Sequence, residues 1–172
     1  DGRLGRRLVE KIKNRGPQAL EDLIFAYDKA APEVREQIRR LVKEERLMER
    51  YAGRLNLADY PQGVLIEAWQ RFPDNDTLRE FVEMLASADV SLQLAGTRLL
   101  SALREPQSLT PLAAALMWPE HFVPARVAEV FAALGAPGAR LLAYLLPEVD
   151  DRHKVRVLET IAKIETPYPP EN

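Results

Sequence analysis

Residues 125–164, ARVAEVFAALGAPGARLLAYLLPEVDDRHKVRVLETIAKI, decide the fold. Apolar residues recur there at helical steps, Val127, Phe131 and Leu134, up to a Gly135-Ala-Pro-Gly138 break. A second run with Leu141, Leu142 and Leu145 follows, then Asp150-Asp151 and a third run from Val155 to Ile164. Apolar slots at i, i+4 and i+7 are the mark of one face of a helix. Read backwards, the same slots return along the whole chain. Ile38, Trp69, Leu100, Phe131 and Ile161 stand 31, 31, 31 and 30 residues apart. Leu41, Phe72, Leu103, Leu134 and Ile164 keep the same intervals, as do Val34, Leu65, Gly96, Val127 and Val157. A helical pattern with a period of about 31 residues is the sequence signature of stacked helical hairpins, and it predicts an all-α chain.

Composition bounds the function. A compact chain of 172 residues buries roughly 70% of its unfolded surface, and a solenoid less, because each repeat touches only its neighbours. The net charge of −2 gives no overall electrostatic reason to bind nucleic acid. The distribution is uneven: residues 1–50 carry 13 Lys/Arg against 10 Asp/Glu, and the remainder 11 against 16. With no cysteine, thiolate nucleophiles, disulfides and Cys-based zinc sites are excluded. The longest strictly apolar run, Leu112 to Trp118, is far shorter than a membrane span, and no signal-peptide pattern is present. The chain opens on Asp1 rather than Met, so a further natural segment is expected upstream. The expected location is the cytoplasm or the cytoplasmic face of a membrane.

The breaks between runs place the elements. Gly16-Pro17 separates a first helix striped by Leu4, Leu8, Val9 and Ile12 from a second striped by Leu20, Leu23, Ile24 and Tyr27. Two helices are expected on either side of Glu44-Glu45, about 33–43 and 46–55, because Leu47, Leu78 and Leu109 again fall 31 apart. Thr77 with Glu80 reads as a capping box opening a helix. Asp89 reads as an N-cap, and Asp150-Asp151 as the cap of the last helix. Helices are further expected over 109–118 and from Pro124 to near Leu146. The resulting units are about 2–31, 32–60, 61–88, 89–121, 122–151 and 152–164, in one domain, with a polar tail at 165–172. No strand pattern persists anywhere.

Several of these signals carry a family resemblance. Ala133-Leu134-Gly135 ends a first helix, Pro137 follows in the turn, Leu141, Leu142 and Leu145 mark the second helix, and Asp150-Asp151 precedes Val155-Arg156. This pattern resembles the short bacterial HEAT-like repeat, the type also found in phycobilin lyase subunits. The match is good over residues 89–164 and looser over 1–60, where the Ala-Leu-Gly and Asp signals are absent. Tetratricopeptide and ankyrin patterns fit worse: Thr110-Pro111-Leu112 occurs once and opens a second helix. The resemblance implies a right-handed α-α superhelix of about five and a half two-helix repeats that binds partners on its concave face. Its members include adaptors, transport receptors, bilin lyases, iron hydroxylases and DNA glycosylases, and a shared fold does not choose among them.

The chemistry-bearing residues are few. His153 lies near Asp150, Asp151 and Glu148, a grouping from which a metal site could be drawn, but acidic residues at a helix start serve the cap and dipole first. His121 follows Glu120, whereas the resemblance to iron hydroxylases would require His-Glu pairs at helix starts. No Ser-His-acid order and no phosphate-binding loop is present; Gly135-Ala-Pro-Gly138 lacks the flanking strand and Lys. No catalytic residue, metal or cofactor is therefore expected. Basic residues cluster early: Arg3, Arg6, Arg7, Lys11 and Lys13, continued by Arg39 and Lys43. Interleaved Glu10, Glu36, Glu44, Glu45 and Glu49 make a solvated face the first reading, membrane proximity through an upstream segment the second, and nucleic acid the third.

In such a stack the second helices face the groove. They offer Arg46, Arg50 and Arg54, then Arg79 and Glu83, then Trp118 and Tyr144, passing from charged to apolar. Met117 and Trp118 are expected mainly to pack in the core or beneath the 119–124 loop, since helices apolar all round are usually buried. The resulting expectation is a non-catalytic protein-binding scaffold with a protein or peptide partner. The alternatives are a bilin-lyase-like or DNA-glycosylase-like enzyme subunit and a nucleic-acid-binding solenoid through the basic first repeats.

Overall fold

The computed structural model describes residues 2–165, and among these every regular element is helical. The expected tail lies, from residue 166 on, outside the described residues, as do the side chains of Ile161 and Ile164 in two of the periodic tracks. The chain divides into two compact units between Thr77 and Leu78.

The first unit begins with α1 (Gly2–Arg15), whose Leu8 and Ile12 are buried. Gly16 ends it with φ +61°, a conformation glycine adopts without a Cβ penalty, and Pro17 starts a short 3-10 turn. Helix α2 (Ala19–Lys29) buries Leu20, Leu23, Ile24 and Tyr27, the stripe its sequence predicts. Pro32 occupies the first turn of α3 (Pro32–Glu44), and Ile38 and Val42 turn inward. Helix α4 (Leu47–Ala52) is shorter than the expected 46–55. The interruption before it falls on Arg46, which holds φ +50° with no glycine to absorb the turn. Helix α5 spans Gln62–Arg71 after Pro61. Helix α2 is the hub of this unit, packing on α3, α4 and α5.

Helix α6 (Asn75–Glu83) starts two residues before Thr77. Its cap is Asp74, whose Oδ1 accepts from the backbone N–H of Asp76 at 2.8 Å and of Thr77 at 3.3 Å. The capping-box reading of Thr77 and Glu80 is therefore corrected: Thr77 lies inside the helix and its hydroxyl donates to Glu49 Oε1 at 2.5 Å.

In the second unit, α7 (Val90–Leu103) is capped as expected, Asp89 accepting from Ser91 N and Leu92 N at 2.9 and 3.4 Å. Helix α8 (Leu109–Leu116) ends two residues short of the expected Trp118. Helix α9 (Pro124–Ala133) packs against α7, α8, α10 (Ala136–Leu145) and α11 (Asp151–Glu165). Its Val127, Ala128, Val130 and Phe131 are all 0% exposed, so α9 is the core of this unit. Leu134 and Gly135, the latter at φ +74°, make the α9–α10 turn. Gly138 already sits within α10, close against Phe131. Helix α11 begins at Asp151 rather than Val155, with Asp150 accepting from the Arg152 N–H at 3.0 Å. Among the described residues no helix is long and apolar enough to cross a membrane.

Candidate functional site

The expected contact residues fall in two places. Arg46, Arg50 and Arg54 lie in the first unit, at the entry, middle and exit of α4, and all three are exposed. Arg79, Glu83, Trp118 and Tyr144 lie in the second unit. Arg79 and Glu83 are exposed on α6, Trp118 follows α8, and Tyr144 projects from α10 with 80% of its surface exposed. Trp118 remains 52% exposed and Met117 38%, so the expectation that they pack inside is overturned. The cause is the early end of α8: both side chains fall in the turn after Leu116 rather than on the helix face that Leu112, Ala115 and Leu116 bury.

Trp118 is ordered by its neighbours. The His121 ring stacks on the indole at 4.2 Å between centroids, with planes 22° apart, and Phe122 meets the indole edge-on at 6.0 Å. Backbone bonds from the N–H groups of His121 and Phe122 to Trp118 O close the turn that makes this stack. The His121 ring is pinned from the far side by Glu83, whose Oε1 pairs with Nε2. The sequence spacing of Trp118 and His121 places them in one turn, but the partner 38 residues away on α6 is set by packing.

The basic first helix is partly neutralised. Arg3, Arg6, Arg7, Lys11 and Lys13 are exposed on α1. Lys11 lies 3.9 Å and Arg15 3.0 Å from Asp22 of α2. Arg39 bonds Glu36 at 3.3 Å and also the Tyr27 hydroxyl, while Lys43 lies 3.5 Å from Asp74. Among the described residues no three of His, Cys, Asp and Glu are grouped so as to hold a metal ion. His153 stands in the first turn of α11, and the Asp150 carboxylate is engaged by Arg152, whose side-chain hydrogen bond and then backbone N–H hold it below its ordinary range.

A feature not anticipated from the sequence is a cleft of about 550 Å³ in the first unit. Its floor is apolar: Val42, Met48, Phe72 and Tyr27 are 3, 1, 6 and 7% exposed. Tyr27 and Phe72 meet edge-to-face at 5.1 Å. Arg39, Lys43, Glu49, Arg71, Asp74 and Thr77 form the walls and mouth. Arg71 Nε and Nη2 each donate to one oxygen of Asp28 at 2.7 Å. That hydrogen bonding, with the charge of Arg71 and Arg35, holds the Asp28 carboxyl below its usual range against a smaller desolvation effect. Nearby, Tyr51 donates to Pro61 O at 3.1 Å, and burial pushes its phenol up to about 12. Of the residues that build the cleft, Phe72 lies on a periodic core track, Tyr27 on the stripe of α2, and Arg39 and Lys43 in the basic run, so no single sequence pattern brings them together.

No family model, no curated protein and no solved structure matches the chain.

Proposed function

We propose that this chain is a non-catalytic protein-binding scaffold built as a HEAT-like stack of helical hairpins. The resemblance of residues 89–164 to that repeat supports the architecture. So does the packing of the second unit, where α9 lies against α7 and α11 while α8 lies against α10. First helices thus meet first helices and second helices meet second helices, at the spacing of the repeat.

The observation that carries the binding reading is the pair of exposed aromatic side chains, Trp118 at 52% and Tyr144 at 80%. Large aromatic side chains with little rotamer freedom are the usual anchors of protein interfaces. Trp118 is moreover held in one orientation by His121 and Glu83, so little ordering cost remains to be met on binding. Pairings at Glu36, Asp22 and Asp74 reduce the charge that the basic residues of α1 and α3 offer, which supports reading the partner as a protein rather than nucleic acid.

The test is site-directed photo-crosslinking. A benzophenone side chain placed at Met117 or Tyr144 is expected to capture one partner of defined mass, competed away by unlabelled chain. The same group at Gln107, an exposed residue of the same unit, should capture none. Equal capture at all three positions, or at none, would overturn the reading.

A further inference from the structure

We propose that the cleft of the first unit is a receptor for a carboxylate carried on an apolar body. It goes beyond the scaffold reading and does not depend on it, since the cleft lies wholly within residues 27–77.

The size and lining set the body of the ligand. A volume of about 550 Å³ lies in the range of small-molecule and side-chain pockets. The buried floor of Met48, Phe72 and Tyr27 offers a thioether and two rings to an apolar group.

The mouth sets the charge. Arg39 and Lys43 are four residues apart on α3 and therefore share one side of it. Both remain exposed, with side chains 48% and 72% accessible. The guanidinium of Arg39 has five N–H donors and bonds the Tyr27 hydroxyl and Glu36; the ammonium of Lys43 has three and meets Asp74 at 3.5 Å. Of the other charges at the cleft, Arg71 is the most fully engaged. Arg71 is forked onto Asp28, Glu49 receives the Thr77 hydroxyl, and Asp74 Oδ1 caps α6. Donor capacity is thus left on two cations, which an anion satisfies. Glu36, Glu49 and Asp74 stand close enough to oppose a second negative charge, so a monoanionic carboxylate suits the site better than a phosphate dianion. A free arylalkyl acid and the C-terminus of a partner chain ending in an apolar residue share this chemistry.

The chain has three methionines, Met48 in the cleft and Met84 and Met117 in the second unit, so methyl-labelled methionine gives a probe and two internal references. The full chain is titrated with 3-phenylpropionate, its neutral amide, phenyl phosphate, and the tetrapeptide acetyl-Ser-Gly-Ser-Phe with free or amidated C-terminus. Met48→Leu assigns the signal. The acid is expected to shift the Met48 methyl saturably and leave the other two in place, with the amide at least about fivefold weaker. Lys43→Gln should remove most of that preference while leaving amide binding unchanged. A free-acid tetrapeptide tighter than phenylpropionate assigns the ligand to a chain terminus, and the reverse order to a small acid. A Met48 signal stationary up to about 20 mM, equal response to acid and amide, or tighter binding of the phosphate would each overturn the proposal.

Discussion

Arg71 holds Asp28 by both oxygens across 43 residues of sequence, Nε on Oδ1 and Nη2 on Oδ2, each at 2.7 Å. The pair ties the last turn of α5 to the last turn of α2, and Arg71 Nη1 adds a bond to Glu67 O at 2.8 Å within its own helix. Because the folded carboxyl is depressed, its stabilising effect is present above the unfolded pKa and is lost as pH falls through the folded value. In Arg71→Gln the Asp28 carboxyl should titrate higher, in the ordinary carboxylate range. The loss of stability on acidification should also be shallower than in the wild type. Carboxyl carbon NMR read against pH, with acid unfolding followed by circular dichroism, checks both. An Asp28 midpoint that stays depressed without Arg71 would contradict the assignment of cause.

Tyr51 supplies the alkaline counterpart. Its phenol is neutral, buried and bonded to Pro61 O, and burial pushes its folded pKa to about 12, above the ordinary 10.0 of a tyrosine. Below pH 10 the phenol is neutral in both states; as pH climbs from 10 to 12 only the unfolded state ionises, so stability is lost across that window. Tyr51→Phe should cost about 1 kcal/mol at neutral pH, the worth of one hydrogen bond. It should also flatten the fall in stability across that alkaline window. Denaturant unfolding at neutral and alkaline pH tests this, and an unchanged alkaline slope would contradict it.

The helices and their inward faces were legible because the period of the apolar slots carries them. Leu65, Leu100, Val127 and Phe131, picked out by spacing, are all at most 1% exposed. The breaks were legible where glycine or proline marks them, as at Gly16-Pro17 and Gly135. They were less so at Arg46 and Arg104, which take positive φ without the glycine that usually marks that conformation in a sequence. The cap of α6 was misplaced because both Asp74 and Thr77 are good N-cap residues. Tertiary contact decided between them: Thr77 is drawn to Glu49, 28 residues away. The cleft escaped notice for a related reason. Its floor joins Phe72 of a periodic track to Tyr27, Val42 and Met48, which lie on none of those tracks, and only three-dimensional packing shows that they leave a space among them.

Two glycines separate close packing from open surface. An added Cβ at Gly138 would sit 2.1 Å from Phe131 O and 3.0 Å from Leu134 Cβ, so backbone would have to move. Gly138→Ala should cost about 3 kcal/mol, the upper end of overpacking effects, or leave α10 undocked. At Gly63, in the first turn of α5, an added Cβ meets nothing within 4 Å. Gly63→Ala should therefore be neutral or stabilise by up to about 1 kcal/mol through helix propensity and a stiffer unfolded chain. Thermal unfolding of the two variants side by side is the check, and similar losses in both would refute the packing argument.

Glu83, His121 and Trp118 form a chain of support in which each member orients the next, carboxylate to imidazole to indole. The chain has two tryptophans, and Trp69 is 7% exposed, so Trp69→Phe leaves fluorescence that reports on Trp118 alone. In that background His121→Ala removes the stacked ring, and Trp118 emission should move to longer wavelength as more of the indole meets water. Glu83→Gln keeps a hydrogen-bond acceptor but removes the charge, so its shift should be smaller. Neither change removes a buried side chain, and stability should stay within about 1 kcal/mol of the parent. If orientation of Trp118 is what prepares it to bind, both variants should crosslink less at Met117, with His121→Ala the weaker. Unchanged emission together with reduced crosslinking would instead place the imidazole itself in the contact, and unchanged crosslinking would separate the stack from binding altogether.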